Sequence, residues 1–502
     1  RPPDDPIVKA ELQAVLGRID FHLGLHAEAS ELQRQAATSF AATGTHPLQL
    51  VEVELDRAET SLEAVDMKPA VSMLDAASAG LTAIADAPVR DHIRLLTLRA
   101  SLAVTQRNFA DAKREADAAL DLARHPPVDD RLLAHALLLA GDAEWGLHAL
   151  DPAEQHFRDG LTLAENTEGS EGLTVASLHR NLGIIAASRS HYADALAQVH
   201  ATLDIHNKVL GPEHPQTLDD MVDIAQYEQH LGHYREAREL LQKTDAIQQR
   251  TLGAESPSRA GTLVDLGLAL IDDGDLDGAE RAFNDAIRIW EPKLGRDFQG
   301  VQFAVGNLGH VHRLQGRLDE AEAELTEVKR TFEKQGVKDD PELFYQLGEL
   351  QRLRGSKEAA VELDRQAVGF AQAKEGEGSE TTALAHHYLA LALRDAGDRL
   401  GAEREFRAAL AYFSAMFPTT GHPQTANVQL DLAGLLAADA TRHDEARQLA
   451  EQATQIREHF FGNGDSRTAA ARVLASRIAQ GSAGVSTDSP SKQRARHLPR
   501  SA

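Results

Sequence analysis

The sequence predicts an all-α fold, a solenoid of about eleven stacked helix-turn-helix units. Three observations predict it. A small residue recurs about every 42 residues, a second small residue follows twelve positions later, and in several units a glycine lies between them. Two helices that carry small side chains at these positions can pack with their backbones close together.

The first small residue of each unit, called the anchor here, is spaced from the next by 39 to 43 residues. The anchors are Gly17, Ala58, Ala100, Gly141, Gly183, Ala225, Gly267, Gly309, Gly348, Ala390 and Ala433. The second small residues are Ala29, Ala70, Ala112, Ala153, Ala195, Ala237, Ala279, Ala321, Ala360 and Ala402, with a slip of one position to Ala446 in the last unit.

Each unit is expected to consist of a helix A that holds the anchor and a helix B that begins near the second small residue. In the seventh unit Gly274 is placed to end helix A in a left-handed cap. Ala279, Phe283 and Ala286 then follow at the spacing of one helix face, which predicts the buried side of helix B.

Composition excludes several classes of function. The 502 residues carry 52 Lys and Arg against 77 Asp and Glu, a net charge of −25, which disfavours binding to a phosphate backbone. The absence of Cys excludes disulfides and thiolate metal sites. The apolar stretches are too short for a membrane span, and no signal-peptide pattern is present, so a cytoplasmic protein is expected.

The expected organisation has four parts. Residues 1–10 form an N-terminal linker, 11–123 hold three degenerate repeats, 131–480 hold eight repeats, and 481–502 form a disordered basic tail. Pro126-Pro127 predicts a loop over 124–130, because proline cannot continue a helix. The sequence does not decide whether the array has a hinge there or near 291–302. Because the chain begins with Arg1, we expect it to be a piece of a longer or processed chain.

The order of Leu-Gly, Gly, Ala, an aromatic or Leu, and Ala resembles the tetratricopeptide repeat (TPR), whose usual unit is about 34 residues. HEAT and armadillo repeats have periods near 42 as well, but the Gly and Ala offsets favour the TPR. The segments 210–217 and 421–425 resemble inter-repeat linkers of kinesin-light-chain repeats. This resemblance covers roughly residues 11 to 475, and it implies a right-handed superhelix that binds partners on its concave, helix-A surface.

The acidic Ala/Leu/Arg-rich repeats also resemble the C-terminal half of large bacterial serine/threonine protein kinases. That resemblance implies a regulatory or substrate-recruiting region. The chain itself has no Walker, His-Arg-Asp, Asp-Phe-Gly, His-Glu-x-x-His or Gly-x-Ser-x-Gly motif. We therefore expect no enzyme activity, no cofactor and no metal site, although a small-molecule or metal-responsive sensor stays an alternative.

Polar residues at fixed places on helix A predict a peptide-binding groove. In kinesin-light-chain repeats an Asn two residues before the anchor faces the groove, where a carboxamide can both donate to and accept from an extended backbone. Four residues after the anchor, three successive units carry Arg, which is suited to acidic groups of a partner. The groove residues are predicted to be Asn181, Asn307, His310, Arg313, Gln346, Arg352, His387 and Arg394.

The alternative is that these arginines pair with Glu342, Glu349 and Asp395 nearby. The function expected from the sequence is a scaffold that binds a protein or peptide partner, which could carry acidic groups, without nucleic acid or membrane insertion. The kinase regulatory region stays the alternative.

Overall fold

The computed structural model describes residues 5–63, 66–124 and 129–480. Within these ranges the chain forms 23 α-helices joined by short turns, with no strand. The predicted basic tail and the Pro126-Pro127 loop lie outside the described residues. The all-α prediction is confirmed.

The helices alternate as A and B members of eleven pairs. The A helices are α1 (Pro6–His22), α3 (Pro47–Glu63), α5 (Val89–Thr105), α7 (Asp130–Gly146), α9 (Leu173–Ser188), α11 (Pro215–His230), α13 (Pro257–Asp273), α15 (Gln299–Leu314), α17 (Pro341–Arg354), α19 (Glu380–Ala396) and α21 (Pro423–Leu436). The B helices are α2 (His26–Thr43), α4 (Met67–Ala83), α6 (Phe109–Ala123), α8 (Leu150–Glu168), α10 (Tyr192–Val209), α12 (Tyr234–Thr251), α14 (Leu276–Leu294), α16 (Leu318–Lys334), α18 (Lys357–Glu375), α20 (Arg399–Met416) and α22 (His443–Phe461). A single helix, α23 (Ser466–Ala479), follows the last pair.

Every anchor lies in an A helix and every second small residue in the B helix of the same pair. All eleven of these second residues, from Ala29 to Ala446, are completely buried. The first helix begins at Pro6, with the Asp5 side chain accepting the backbone N–H of Ile7, so it starts inside the segment expected to be a linker.

The anchor is small because the B helix lies directly against it. A Cβ added at Gly267 would lie 2.6 Å from the ring of Phe283, and one at Gly141 would lie 2.4 Å from the ring of Phe157. In both pairs the contacting aromatic residue comes sixteen positions after the anchor and is almost fully buried. Close packing of this kind leaves no room for a methyl group.

The turn from helix A to helix B uses a left-handed residue seven positions after the anchor. Glycine occupies that place in six pairs, for example Gly274 with φ of 93° and Gly397 with φ of 96°. In the third, fourth and fifth pairs the same backbone conformation is held by Arg107, His148 and Ser190, with φ of 58°, 60° and 59°. The turn geometry is therefore retained even where the glycine is missing.

The chain divides into two compact units, Arg1–Asp220 and Met221–Ala502. In both units the main contacts between alternate helices join A helices, such as α5 with α7 in the first and α17 with α19 in the second. The A helices therefore form one continuous layer within each unit, which we call the helix-A surface.

Each unit also brings one turn against a linker five repeats later. In the first unit a Cβ at Gly24 would lie 3.7 Å from His214 Nε2, and in the second a Cβ at Gly232 would lie 2.7 Å from Pro423 Cδ. Beside the second contact, His422 stacks on Phe417 with ring centroids 4.5 Å apart. The Arg467 guanidinium likewise donates to the Asp272 carbonyl at 2.7 Å, 195 residues away.

Candidate functional site

Six of the eight predicted groove residues lie in one network of hydrogen bonds and ion pairs on the A helices α15 to α21. Three carboxylates that the groove prediction did not include connect them. The six are His310, Arg313, Gln346, Arg352, His387 and Arg394. The connecting carboxylates are Glu349, Asp395 and Asp431.

The network begins on α15 and α17. Arg313, which is 4% exposed, donates from Nε to Gln346 Oε1 at 3.2 Å and from Nη1 to Glu349 Oε1 at 3.5 Å. Gln346 in turn donates from Nε2 to His310 Nδ1 at 3.3 Å. Burial and the neighbouring Arg313 charge lower the pKa of His310 well below its ordinary value, so this ring is a neutral acceptor.

The network continues through Arg352 to the last pairs. Arg352 holds both oxygens of Glu349 at 2.6 and 2.8 Å and reaches Asp395 Oδ2 at 2.5 Å. Burial opposes the charge of this guanidinium, yet the bonds from Glu349 and Asp395 raise the pKa of Arg352. This is the pairing alternative that the sequence left open, realised with Glu349 and Asp395.

At the far end Arg394 lies between two carboxylates. It donates to Asp395 Oδ1 at 3.0 Å and to Asp431 Oδ1 at 3.4 Å, while His387 Nε2 donates to Asp431 Oδ2 at 2.9 Å. Burial acts to raise the pKa of Asp431, but the bond from His387 and the charges of Arg394 and Arg352 lower it below its ordinary value. The three arginines are thus matched by three carboxylates.

Asp364 lies beside this network, in the core between α17 and α18. It is 1% exposed, and neither carboxyl oxygen has a hydrogen-bond partner. It occupies the position sixteen after the anchor, where Leu241 and Leu325 stand in other pairs. Burial, and then the charge of Glu349, raise the pKa of Asp364 well above its ordinary value despite Arg352 and Arg313.

The other two predicted residues lie apart from the network. Asn307 is 5% exposed and donates to the Phe303 carbonyl of its own helix at 3.0 Å. Asn181 is in the first unit, where its Nδ2 donates to Asp142 Oδ1 at 2.5 Å. The structure therefore does not join the eight residues into one site.

Asn181 lines a polar cavity of about 250 Å³ in the first unit. Three successive A helices and one B helix contribute to it. The lining residues are Leu138 and Asp142 from α7, Ser177, Arg180 and Asn181 from α9, His206 from α10, and Gln216, Asp219 and Asp220 from α11. We call this the α7–α11 cavity.

Acidic groups dominate the α7–α11 cavity. Burial raises the pKa of Asp142 to about 7, although the bond from Asn181 and the charge of Arg180 act to lower it. Asp220, 1% exposed, accepts from His206 Nδ1 at 2.6 Å through Oδ2, whereas its Oδ1 has no hydrogen-bond partner.

The groove prediction missed the acidic residues of this cavity. It took His310, one residue after its anchor, but did not extend that position to Asp142, and Asp220 lies five residues before its anchor, outside every position used. Asp219, Asp220 and Asp223 recur at helical spacing on α11. That pattern was the signal in the sequence that could have indicated the cavity.

Among the described residues, no group of three or more His, Asp or Glu side chains is placed to hold a metal ion. In the same part of the chain, no helix combines the length and the apolar character needed to cross a membrane.

Comparisons with known proteins agree with this architecture. The tetratricopeptide-repeat family matches residues 174–244 and again residues 259–299. No curated protein matches the sequence.

Among solved structures, the apo form of RapI is 13% identical, covers 72% of this chain and 97% of its own, and has a TM-score of 0.56. A Rap protein complexed with competence and sporulation factor is 15% identical, covers 77% and 99%, and has a TM-score of 0.55. Repeats of a putative kinesin light chain from Podospora anserina are 20% identical over 42% of this chain and 99% of theirs, with a TM-score of 0.37. The predicted array of tetratricopeptide repeats is confirmed.

Proposed function

We propose that this tetratricopeptide-repeat array is a protein-interaction scaffold that binds an extended peptide segment of a partner along its helix-A surface. The observation that carries the proposal is the layer of A helices within each unit, which places polar side chains of successive repeats side by side. A repeated surface of this kind suits a ligand that is itself extended, because each repeat can contact the next residues of the segment.

The chemistry of the helix-A surface supports the proposal. Asn181 places a carboxamide there, and a carboxamide can pair with both groups of a peptide backbone. The network from His310 to His387 holds its side chains in fixed positions through mutual bonds, so they lose little conformational freedom when a partner binds. This scaffold role requires binding of a partner but no chemical reaction.

An acidic partner stays a prediction. Because Arg313, Arg352 and Arg394 already bind carboxylates of the chain, a partner carboxylate would have to replace Glu349, Asp395 or Asp431. Such an exchange would contribute to binding only the free-energy difference between the two ion pairs.

Panning a random 12-residue peptide library against the full chain tests the proposed function. Enriched peptides should bind wild-type protein and bind the Asn181→Ala variant, changed on α9, with lower affinity. The control variant Arg158→Ala, changed on the exposed side of α8, should bind them with wild-type affinity. A library that yields no enriched peptide would contradict the proposal, and so would peptides that depend on Arg158 but not on Asn181.

The resemblance to bacterial serine/threonine kinases supports a second arrangement, in which this array recruits substrates for a catalytic domain encoded before Arg1. The coding sequence upstream tests it. A kinase domain there would support the arrangement, and a start codon directly before Arg1 would refute it.

A further inference from the structure

We propose that the α7–α11 cavity takes the cationic side chain, lysine or arginine, of the segment bound along the helix-A surface. The inference rests on the proposed function and adds a specificity site to it. It is the opposite of the acidic preference that the arginine positions suggested from the sequence.

The cavity contains a buried acceptor without a hydrogen-bond donor. Asp220 is 1% exposed, and its two oxygens are unequal, since Oδ2 accepts from His206 at 2.6 Å while Oδ1 has no partner. A buried acceptor without a donor is unfavourable. An ammonium or guanidinium N–H that entered the cavity would supply the missing donor and pair with the charge at the same time.

The charged side chains that line the cavity are mostly acidic. Asp142, Asp219 and Asp220 face the cavity from α7 and α11, against Arg180 from α9 and His206 from α10. Burial raises the pKa of Asp142, because the groups around it do not fully offset the hydration that its ionised form loses. A further positive charge would compensate it. Because the described residues hold no set of three metal-ligating side chains, an organic cation fits this cavity better than a metal ion.

The volume of the cavity matches one side chain. Pockets for whole small-molecule ligands usually measure about 300–1,000 Å³, whereas this cavity measures about 250 Å³. It therefore suits one side chain of a longer segment. The cavity lies between three successive A helices, on the surface proposed to bind the segment.

Titration of the full chain with N-acetyl-arginine methylamide and N-acetyl-lysine methylamide tests the inference by calorimetry or NMR. The uncharged analogue N-acetyl-citrulline methylamide is the ligand control. We expect at least one cationic probe to bind about tenfold or more tightly than citrulline, and Asp220→Asn and Asp142→Asn each to remove that difference.

Asp265→Asn is the matched protein control, because Asp265 is another carboxylate in a desolvated position, bonded to a glutamine, but lies on α13 in the second unit. It should bind the cationic probe as wild type does. Circular dichroism and thermal melting identify a variant that fails to fold. If Asp220→Asn fails to fold, Asp142→Asn is the test variant. Wild-type protein that binds neither cationic probe more tightly than citrulline, or unchanged selectivity in a folded cavity variant, would overturn the inference.

The library peptides separate this inference from the proposed function. Peptides that bind the helix-A surface and lose affinity when one Lys or Arg is replaced support both. Peptides that bind the same surface with no required basic residue overturn the inference and leave the proposed function standing. Absence of any bound peptide counts against the proposed function itself.

Discussion

Single residues in the A-to-B turns show how strictly the repeat geometry is kept. Arg107, His148 and Ser190 hold left-handed backbone at the place where six other pairs use glycine. A side chain in that conformation costs roughly 1–2 kcal/mol, because Cβ comes close to the following carbonyl oxygen. The third to fifth pairs therefore retain the turn at an energetic cost.

Ser190→Gly should relieve this strain and raise the free energy of unfolding by about 1 kcal/mol, since glycine reaches positive φ without penalty. The check is denaturant unfolding monitored by circular dichroism. Ser101→Gly, in the interior of α5, is the matched control and should lower stability by about 0.5 kcal/mol. If both variants shift in the same direction, backbone strain at Ser190 is not the cause.

Asp364 is the second residue whose role can be tested by substitution. Asp364→Leu replaces a buried carboxyl, whose oxygens have no partners, with the residue found at this place in other pairs, for example Leu241 and Leu325. The side chains have the same number of heavy atoms, so we expect a gain of about 1–3 kcal/mol in the free energy of unfolding at pH 8.

The gain should depend on pH with a definite sign. The pKa of Asp364 is higher in the folded than in the unfolded chain, so the folded state holds the proton longer and wild-type stability falls as pH rises above the ordinary value near 4. The advantage of Asp364→Leu should be smaller at pH 4 than at pH 8. Asp364→Asn also removes the titrating carboxyl, so its stability relative to Asp364→Leu should be the same at both pH values. An advantage of Asp364→Leu over wild type that is the same at both pH values would contradict the explanation.

At the scale of the helix pair, the anchor decides how closely A and B pack. Gly267→Ala places a methyl group 2.6 Å from the Phe283 ring, so we expect a loss of about 1–3 kcal/mol by overpacking. Gly369→Ala on α18 meets no heavy atom within 4 Å and should instead gain about 0.5–1 kcal/mol from helix propensity. Thermal melting of both variants measures the contrast, and a neutral or stabilising Gly267→Ala would show that the pair has room to spare.

The helix pairs were predictable from the sequence because their signal is local and repeated. Every second small residue is fully buried in the expected B helix, from Ala29 to Ala446, since the same contact recurs in every unit. The left-handed turn at Ser190 was not predictable, because the glycine that marks this turn in other pairs is missing there.

The candidate site was predictable only in part. Helical spacing placed Arg313 and Arg352 on the helix-A surface, but it could not say whether a partner or Glu349 would bind them. The α7–α11 cavity was missed because four helices build it, and no single stretch of sequence contains its pattern.

At the scale of the whole molecule, the repeat sets a second, longer spacing. Gly24 with His214 and Gly232 with His422 are equivalent contacts within their own units, each 190 residues apart. The 42-residue period alone does not reveal this spacing of five repeats.

The most direct measurement of the central claim is amide hydrogen exchange of the full chain with and without a library-selected peptide at saturating concentration. We predict that protection concentrates in A helices, above all α7, α9 and α11. Protection confined to B helices, or measured binding with no protected A helix, would contradict the account.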